Sequence, residues 1–205
     1  MSLRNIEKLR ATAYSRFVAT FCVVFVPVYA LGIWRGAAAS HPLVIALDWE
    51  RAWPLWPWMV VPYVSLLPAY GVPLFVLPED RFEALTKQSV AAVLISGAVF
   101  LVLPTTHGFP PDPPIAEPFA ALFQIIRSVG PHNLFPSLHV AGSSIVLLAS
   151  AEAVCGVPAI LLRAWIGLIA ASTLFVHEHH LADVAAGLAL ALLIRRAMPI
   201  GGRAR

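Results

Sequence analysis

Long runs of hydrophobic residues alternate with short charged or proline-rich segments along the whole chain. A hydrocarbon core about 30 Å thick needs roughly 20 mostly apolar residues for each helical crossing. Six runs approach that length, so the pattern predicts an all-α bundle of six membrane-spanning helices, forming one domain over residues 1–205. The expected spans are Phe17 to Trp34, Trp58 to Leu77, Ser89 to Leu103, Leu138 to Cys155, Ala164 to His177 and Ala182 to Ile194.

The composition agrees with this interpretation. Of the 205 residues, 59% are hydrophobic and 12% are charged, whereas soluble domains average about 25% charged residues. The net charge of +3 does not indicate nucleic-acid binding, because the basic residues lie singly at predicted helix ends and not in clusters with aromatic residues. The lipid bilayer is therefore the expected surrounding, and we expect no nucleic-acid partner.

Lysine and arginine residues predict the orientation of the bundle, because cytoplasmic loops carry an excess of them. With the N-terminus in the cytoplasm, Arg35, Arg51 and Arg127 fall outside, and both termini are cytoplasmic. A cleavable signal peptide is the alternative interpretation of the first span, since alanines 37–39 follow its apolar run, but the long basic segment before it favours a span. The eleven residues assigned to the inner side are Arg4, Lys8, Arg10, Arg16, Arg81, Lys87, Arg163, Arg195, Arg196, Arg203 and Arg205.

Two of the predicted outer segments are longer than a tight turn. Residues 39–57 contain Trp49, Trp53 and Trp56, a composition suited to lying along the membrane interface, so we interpret this segment as an anchor. The second covers residues 105–137. There a proline-rich stretch is followed by a pattern that predicts a short surface helix from Phe119 to Val129.

All the histidines fall at or near the outer ends of the predicted helices, and none is assigned to the cytoplasmic side. Ionisable groups at membrane depth are costly and are usually functional. We therefore expect a plasma-membrane protein with its active site on the extracytoplasmic face. In a bacterium that face is the cell exterior, and in a eukaryotic organelle it is the lumen. The seven histidines are His41, His107, His132, His139, His177, His179 and His180.

Two clusters of polar residues lie at that face. The first, residues 133–139, leads into the fourth span, and the second, residues 172–183, joins the fifth span to the sixth. Because the fourth and fifth spans run in opposite directions, we expect His139 and His179 to converge on one site. Asp183 follows His179 by four residues, which places both on one side of a helical turn.

These three residues supply the groups that a covalent phosphoryl transfer requires. A carboxylate that accepts a hydrogen bond from one imidazole nitrogen makes the other nitrogen a better nucleophile. In this interpretation Asp183 orients His179, and His139 donates a proton to the departing oxygen. Water or another alcohol then takes the phosphoryl group from the histidine.

The same residues resemble two motifs of the type 2 phosphatidic acid phosphatase superfamily. Residues 136–139, Pro-Ser-Leu-His, resemble its Pro-Ser-x-His motif, while Ser172, His179 and Asp183 have the spacing of its third motif. The resemblance covers residues 101–189. The roles that it implies are nucleophile for His179, partner of the nucleophile for Asp183, general acid for His139, and phosphate ligand for Ser137 together with nearby backbone amides.

Two departures from the phosphatase pattern bear on the substrate. Thr173 stands where the phosphatases have an arginine, and residues 103–107 lack the cations of the first motif. Those cations balance a dianionic monoester, so their loss favours a singly charged diester. The pairs Ser172-Thr173 and His179-His180 instead resemble the inositol phosphorylceramide synthase branch, which contains lipid head-group phosphotransferases. The candidate substrate-binding residues are Ser137, Ser172, Thr173, His180, Arg127, Asn133 and His107, with His132 as a further replacement for the missing cations.

The sequence thus predicts a membrane enzyme that cleaves a lipid phosphate ester through a phosphohistidine. It transfers the phosphoryl-containing head group of a phospholipid to an alcohol acceptor. In the branch that the chain resembles, that acceptor is a second lipid, so the expected partners are a membrane lipid donor and a lipid alcohol. The alternative is a lipid phosphate phosphatase that uses water and acts on phosphatidic acid or a polyprenyl phosphate.

Two other classes of protein are less well supported. Residues 177–180 lack the His-Glu-x-x-His spacing that presents two metal ligands from successive helical turns, so we expect neither a metal nor a cofactor. A channel or carrier should place polar groups near mid-membrane, but the inner halves of the last three spans hold almost none. Close helix packing explains the small residues on these spans.

Overall fold

The structure, a computed structural model, describes residues 3–201, and its regular elements in that range are helices, with no strand. Arg203 and Arg205, which the orientation argument counts, lie outside the described residues, as does the side chain of Arg4. The helices are α1 Leu3–Ala37, α2 Val60–Val64, α3 Leu66–Val76, α4 Phe82–Val102, α5 Ala120–Arg127, α6 Leu138–Ala151, α7 Val157–Phe175 and α8 Leu181–Ala197.

Four helical segments of the described chain are long and apolar enough to cross a membrane. They are Glu7–Ala37, Pro57–Val76, Glu79–Val102 and Val157–Phe175, and α6 is a shorter apolar helix. The second segment is built from a 3-10 turn at Pro57–Met59 followed by α2 and α3. The predicted all-helical class is therefore confirmed, and four helical segments of the described chain have the length and composition of a membrane span.

Two helices begin in polar segments, earlier than the hydrophobic runs predict. α1 begins at Leu3, within the basic segment that precedes its apolar run. α4 begins at Phe82, seven residues before the predicted Ser89, and the ion pair between Glu83 and Lys87, 2.6 Å apart one turn later, stabilises that polar first turn. Hydropathy detects only the apolar part of a helix, so it does not predict these polar first turns.

α6 forms the centre of the bundle, and it contacts α3, α4, α7 and α8. Residues 140–147 of this helix are all buried. Small side chains allow this close packing, and Gly142 faces the hydroxyl of Tyr70 on α3 at a distance that leaves no room for a Cβ. Ile145 and Leu147 join the main hydrophobic core together with Phe17 of α1.

The loops at one end of the bundle meet, and we call this end the histidine end. The backbone amide of Leu43 donates to the carbonyl of Pro104 at 2.9 Å, and the amide of Trp56 donates to the carbonyl of Phe175 at 2.9 Å. At the opposite end, Arg10 donates to the carbonyl of Phe75 at 3.1 Å. Successive helices therefore alternate in direction, and both sequence motifs lie at the histidine end.

The two long outer segments also lie at the histidine end. In the first, Trp49 and Trp56 are exposed, as an anchor requires, but Glu50 between them is buried. The segment therefore has a role in the interior as well as at the surface. In the second, the predicted short helix is α5, whose Phe123 is buried while Ile125 is exposed.

Candidate active site

The turn between α7 and α8 carries His179. It is held by the carbonyl of Thr173, which accepts hydrogen bonds from the backbone amides of Glu178 at 3.1 Å and His179 at 3.0 Å. His177 in this turn has a left-handed backbone, with φ of 60°. The chain therefore reverses within a few residues, and His179 and Glu178 both line a cavity below the turn.

Asp183 lies on the first turn of α8, close to His179. Its Oδ2 atom is 3.5 Å from Nδ1 of His179, which is ion-pair range and longer than a strong hydrogen bond. The same oxygen accepts a hydrogen bond from the backbone amide of His180 at 2.8 Å. Nδ1 of His179 is buried without a hydrogen-bond partner. Nδ1 of His179 therefore faces the Asp183 carboxylate.

His139 lies on the first turn of α6 and lines the same cavity as His179. Its Nε2 atom is 2.9 Å from the carbonyl oxygen of Tyr63. Because a carbonyl only accepts, Nε2 carries a proton, and Nδ1 is the nitrogen left for chemistry. The ring of Tyr63 stacks on the imidazole with centroids 4.2 Å apart. α2 therefore fixes both the position and the tautomer of His139.

Ser137 connects the two motifs. It caps α6, since its Oγ atom accepts from the backbone amide of Val140 at 3.3 Å. Its own amide donates to the carbonyl of Asp183 at 3.0 Å. Gly187 permits this approach, because a Cβ there would overlap the carbonyl oxygen of Ser137. The hydroxyl of Ser137 thus holds the start of α6, and it does not line the cavity.

The side chains of Ser172 and Thr173 are fully buried in α7. Each hydroxyl donates to a carbonyl one turn earlier, Ser172 to Ile169 at 2.6 Å and Thr173 to Ala170 at 2.8 Å. Neither residue lines the cavity. Of the two, Thr173 contributes to the site through its backbone carbonyl, which holds the turn that carries His179.

Arg127, at the end of α5, is held by two carboxylates. Its Nη2 atom donates to Asp112 at 2.6 Å, and its Nη1 atom donates to Glu178. Nη2 also donates to the carbonyl of Val176 at 2.9 Å. Burial raises the pKa of the Glu178 carboxyl, and the Arg127 guanidinium opposes that rise. Arg127 is therefore already neutralised, although it lies next to the turn that carries His179.

His180 is buried in a network with Glu50. The amide of Gly108 donates to its Nε2 atom at 3.0 Å, so Nε2 has no proton, and Nδ1 donates to Glu50 Oε2 at 3.0 Å. Its ring also stacks on Phe109 with centroids 4.3 Å apart. Burial lowers the pKa of His180, which favours this neutral form. His180 therefore connects three loops, and it does not line the cavity.

The remaining candidates divide into two groups. Asn133 and His132 line the cavity, and the Asn133 side chain donates to the carbonyl of Tyr29 at 2.9 Å. Nδ1 of His132 is buried without a hydrogen-bond partner. His107 does not line the cavity. Burial lowers the pKa of His107, and the nearby charge of Arg127 lowers it further.

Sequence reasoning missed several residues that organise the site. Glu50 was treated as part of a membrane anchor, and Tyr63 was not considered, because its contact with His139 is made by a backbone carbonyl. Asp112 was hidden among the prolines of the second outer segment. The sequence did contain one indication that Glu50 is paired. Glu50 follows Trp49 in a segment expected to lie in the membrane interface, where a carboxylate needs a partner.

Among the described residues, no three histidine, cysteine, aspartate or glutamate side chains form a group that could hold a metal ion. Comparison with protein-family models, with curated proteins and with solved structures finds no match.

Proposed function

We propose that this chain is a metal-independent lipid head-group phosphotransferase that works through a phosphohistidine. It would belong to the type 2 phosphatidic acid phosphatase superfamily. One observation carries the proposal: His139 and His179 line a single cavity, and Asp183 lies 3.5 Å from the far nitrogen of His179. This arrangement supplies a nucleophile, an orienting carboxylate and a proton donor, the set that covalent phosphoryl transfer requires.

The first step cleaves the donor lipid. Nε2 of His179 attacks phosphorus, and the ester bond between phosphorus and the departing alcohol oxygen breaks. His139 enters this step doubly protonated and gives that oxygen the proton on Nδ1, since the carbonyl of Tyr63 keeps the other proton on Nε2. Asp183 stabilises the proton on Nδ1 of His179 while the phosphohistidine carries positive charge.

The second step regenerates the enzyme. The hydroxyl of the acceptor gives its proton to Nδ1 of His139, and its oxygen attacks phosphorus. The bond between phosphorus and Nε2 of His179 then breaks. The phosphorus of the head group is now bonded to the acceptor oxygen, and both histidines return to their starting protonation states.

The charge around the cavity favours a diester substrate. None of the described residues that line it is a lysine or an arginine. Arg127 is bound to Asp112 and Glu178, so it does not offer a free positive charge to a dianionic monoester. A singly charged phosphodiester needs less compensation in the transition state. This is the specific support for transfer over the alternative, hydrolysis of a lipid phosphate monoester.

The proposed membrane topology has six spans. They are α1, the segment from Pro57 to Val76, α4, α6, α7 and α8, with both termini in the cytoplasm. Support comes from the basic residues at the end opposite the histidines, where Arg10 and Arg195 form contacts. The cavity then opens toward the extracytoplasmic half of the bilayer, and the plasma membrane is the proposed location.

A product assay tests the proposed reaction. Purified protein is incubated with phosphorus-labelled phospholipid diesters, and in parallel with labelled lipid phosphate monoesters, with and without a long-chain lipid alcohol such as ceramide or diacylglycerol. We expect label to appear in a new lipid only when the alcohol is present. The His179→Ala variant should form no new lipid, and the His41→Ala variant, which changes an exposed histidine outside the cavity, is its matched control. Release of free phosphate from monoesters without any new lipid would establish the phosphatase alternative.

A further inference from the structure

The cavity extends far beyond the two histidines. It has a volume of about 570 Å³, and Asn133, Glu178 and His179 line it at the histidine end. Away from that end the lining is aromatic and aliphatic, with Phe21 and Phe25 on one side and Leu66 on another. The cavity thus has a polar end and a long apolar part, which we call the tail groove.

One wall of the tail groove is a column of aromatic rings on α1. The rings recur every three or four residues, so they share one face of the helix. Successive centroids are 6.3 Å apart between Phe17 and Phe21, 5.3 Å between Phe21 and Phe25, and 5.0 Å between Phe25 and Tyr29. With Tyr14 at its lower end, the column covers 16 residues of α1, and the helix rises about 22 Å from Tyr14 to Tyr29.

Aromatic side chains also close the lower end of the tail groove. Tyr70 on α3 stacks parallel to Phe17 with centroids 6.3 Å apart, and its ring lies 5.0 Å from that of Phe21. Behind them the ring of Tyr14 meets Phe82 edge-on at 6.1 Å. Phe17 and Phe82 are buried in the main core. This packed floor sets a fixed length for anything that lies along the column.

The tail groove is open along one side. Leu67 and Ile125 line it, yet 76% and 65% of their surfaces are exposed, and Cys22 is also exposed. A molecule dissolved in the surrounding lipid can therefore enter sideways between α3 and α5. Neither a water channel nor an enclosed cavity would show this combination of apolar lining and lateral opening.

We infer that the tail groove holds one hydrocarbon tail of the phosphate ester whose phosphorus meets His179, and that its floor selects for tail length. The inference rests on the proposed function, because the histidines fix where the phosphorus lies. A tail that moves from bilayer to groove exchanges one apolar surrounding for another, so the hydrophobic effect contributes little. Fit against the rings therefore decides which lipids are used. The occupant is the substrate itself, since the polar end of the cavity is continuous with the groove.

Shortening the groove tests the inference. Cys22 lines the groove between Phe21 and Phe25, and its neighbour Val23 points away, with 73% of its surface exposed. We expect Cys22→Trp to lower kcat/KM for long-tailed donors about tenfold relative to short-tailed ones, the size of effect that misplaced methylene groups have in an apolar pocket. Val23→Trp is the matched control and should keep the wild-type profile. The same tail-length profile in both variants would overturn the inference.

A second measurement does not depend on turnover. In the His179→Ala variant, alkylation of Cys22 by a maleimide is followed in nanodiscs while alkyl phosphocholines of increasing tail length are added. We expect long tails to slow the reaction at Cys22 and to leave Cys155, which does not line the cavity, unaffected. Equal rates at Cys22 for all tails would rule out the groove as a tail site. If long tails protect Cys22 from alkylation but the wild-type protein turns over no phosphodiester, the proposed reaction would be wrong while the groove would remain a tail site.

Discussion

At the scale of single residues, the two histidines differ in what surrounds them. His139 has one nitrogen committed to the carbonyl of Tyr63 at 2.9 Å, so its proton position is fixed by the backbone of another helix. His179 has a carboxylate, Asp183, near one nitrogen and no hydrogen-bond partner there. The first arrangement suits proton transfer through Nδ1, and the second suits a nucleophile whose charge increases during the reaction.

This difference predicts separate behaviour for two variants. With a p-nitrophenyl phosphodiester, whose leaving group needs no proton, His139→Asn should release nitrophenolate in a burst and accumulate an acid-labile phosphohistidine. His179→Ala should lose activity by several orders of magnitude with any leaving group, because the nucleophile is gone. Stopped-flow absorbance and phosphorus labelling measure both effects. Full activity of the His179→Ala variant would refute the mechanism.

At the scale of helices, the site depends on how closely α8 approaches the start of α6. The amide of Ser137 donates to the carbonyl of Asp183 at 3.0 Å, and Gly187 lies against the carbonyl of Ser137 with no room for a Cβ. This contact sets the separation of the two motifs. Because reacting groups must be held within a fraction of an ångström, helix packing here controls the chemistry.

We therefore expect Gly187→Ala to reduce kcat about a hundredfold, since a displacement of roughly 1 Å has that effect on catalysis. Gly167→Ala on α7 is the control, because nothing lies within 4 Å of a Cβ at that position. Both variants introduce the same methyl group into a helix of the bundle. Steady-state assays and thermal unfolding are compared. Wild-type activity in the Gly187→Ala variant would show that the contact does not position the site.

At the scale of the whole molecule, the two ends of the bundle differ in chemistry. The histidine end holds buried carboxylates and imidazoles, including the pair of Glu50 and His180. At the other end, Arg195 bonds to Glu152 at 2.6 Å, and Gln88 donates to the carbonyl of Met198 at 2.6 Å. An excess of arginine and lysine at this second end is what the positive-inside rule expects of the cytoplasmic side.

This orientation predicts which cysteines react on intact cells. Cys155 is exposed and lies between α6 and α7, at the end opposite the histidines. In a Cys22→Ser background, a membrane-impermeant maleimide should label Cys155 only after the cells are permeabilised. A variant that carries His41→Cys and lacks both native cysteines should be labelled at once. The reverse pattern would invert the proposed topology and place the site in the cytoplasm.

Hydrophobic patterning by itself predicted the helical class and the approximate positions of the apolar helices, because an apolar run of helical length is a local property of the chain. Motif spacing likewise predicted that Asp183 lies near His179, since four residues of separation place two side chains on one side of a helical turn. The bounds were less accurate. α1 and α4 extend into polar segments, whose helicity depends on side-chain pairs and neighbouring helices.

Only the tertiary structure decided which partners the polar groups have. Glu50 and His180 meet although 130 residues separate them, and Tyr63 reaches His139 through a carbonyl that all residue types carry. Arg127, a candidate to replace a missing cation, forms ion pairs with Asp112 and Glu178. The sequence contains the charges, but irregular loops have no periodicity that fixes their path. Their pairing follows from burial, because a charged group enclosed in the fold must find an opposite charge or a hydrogen bond.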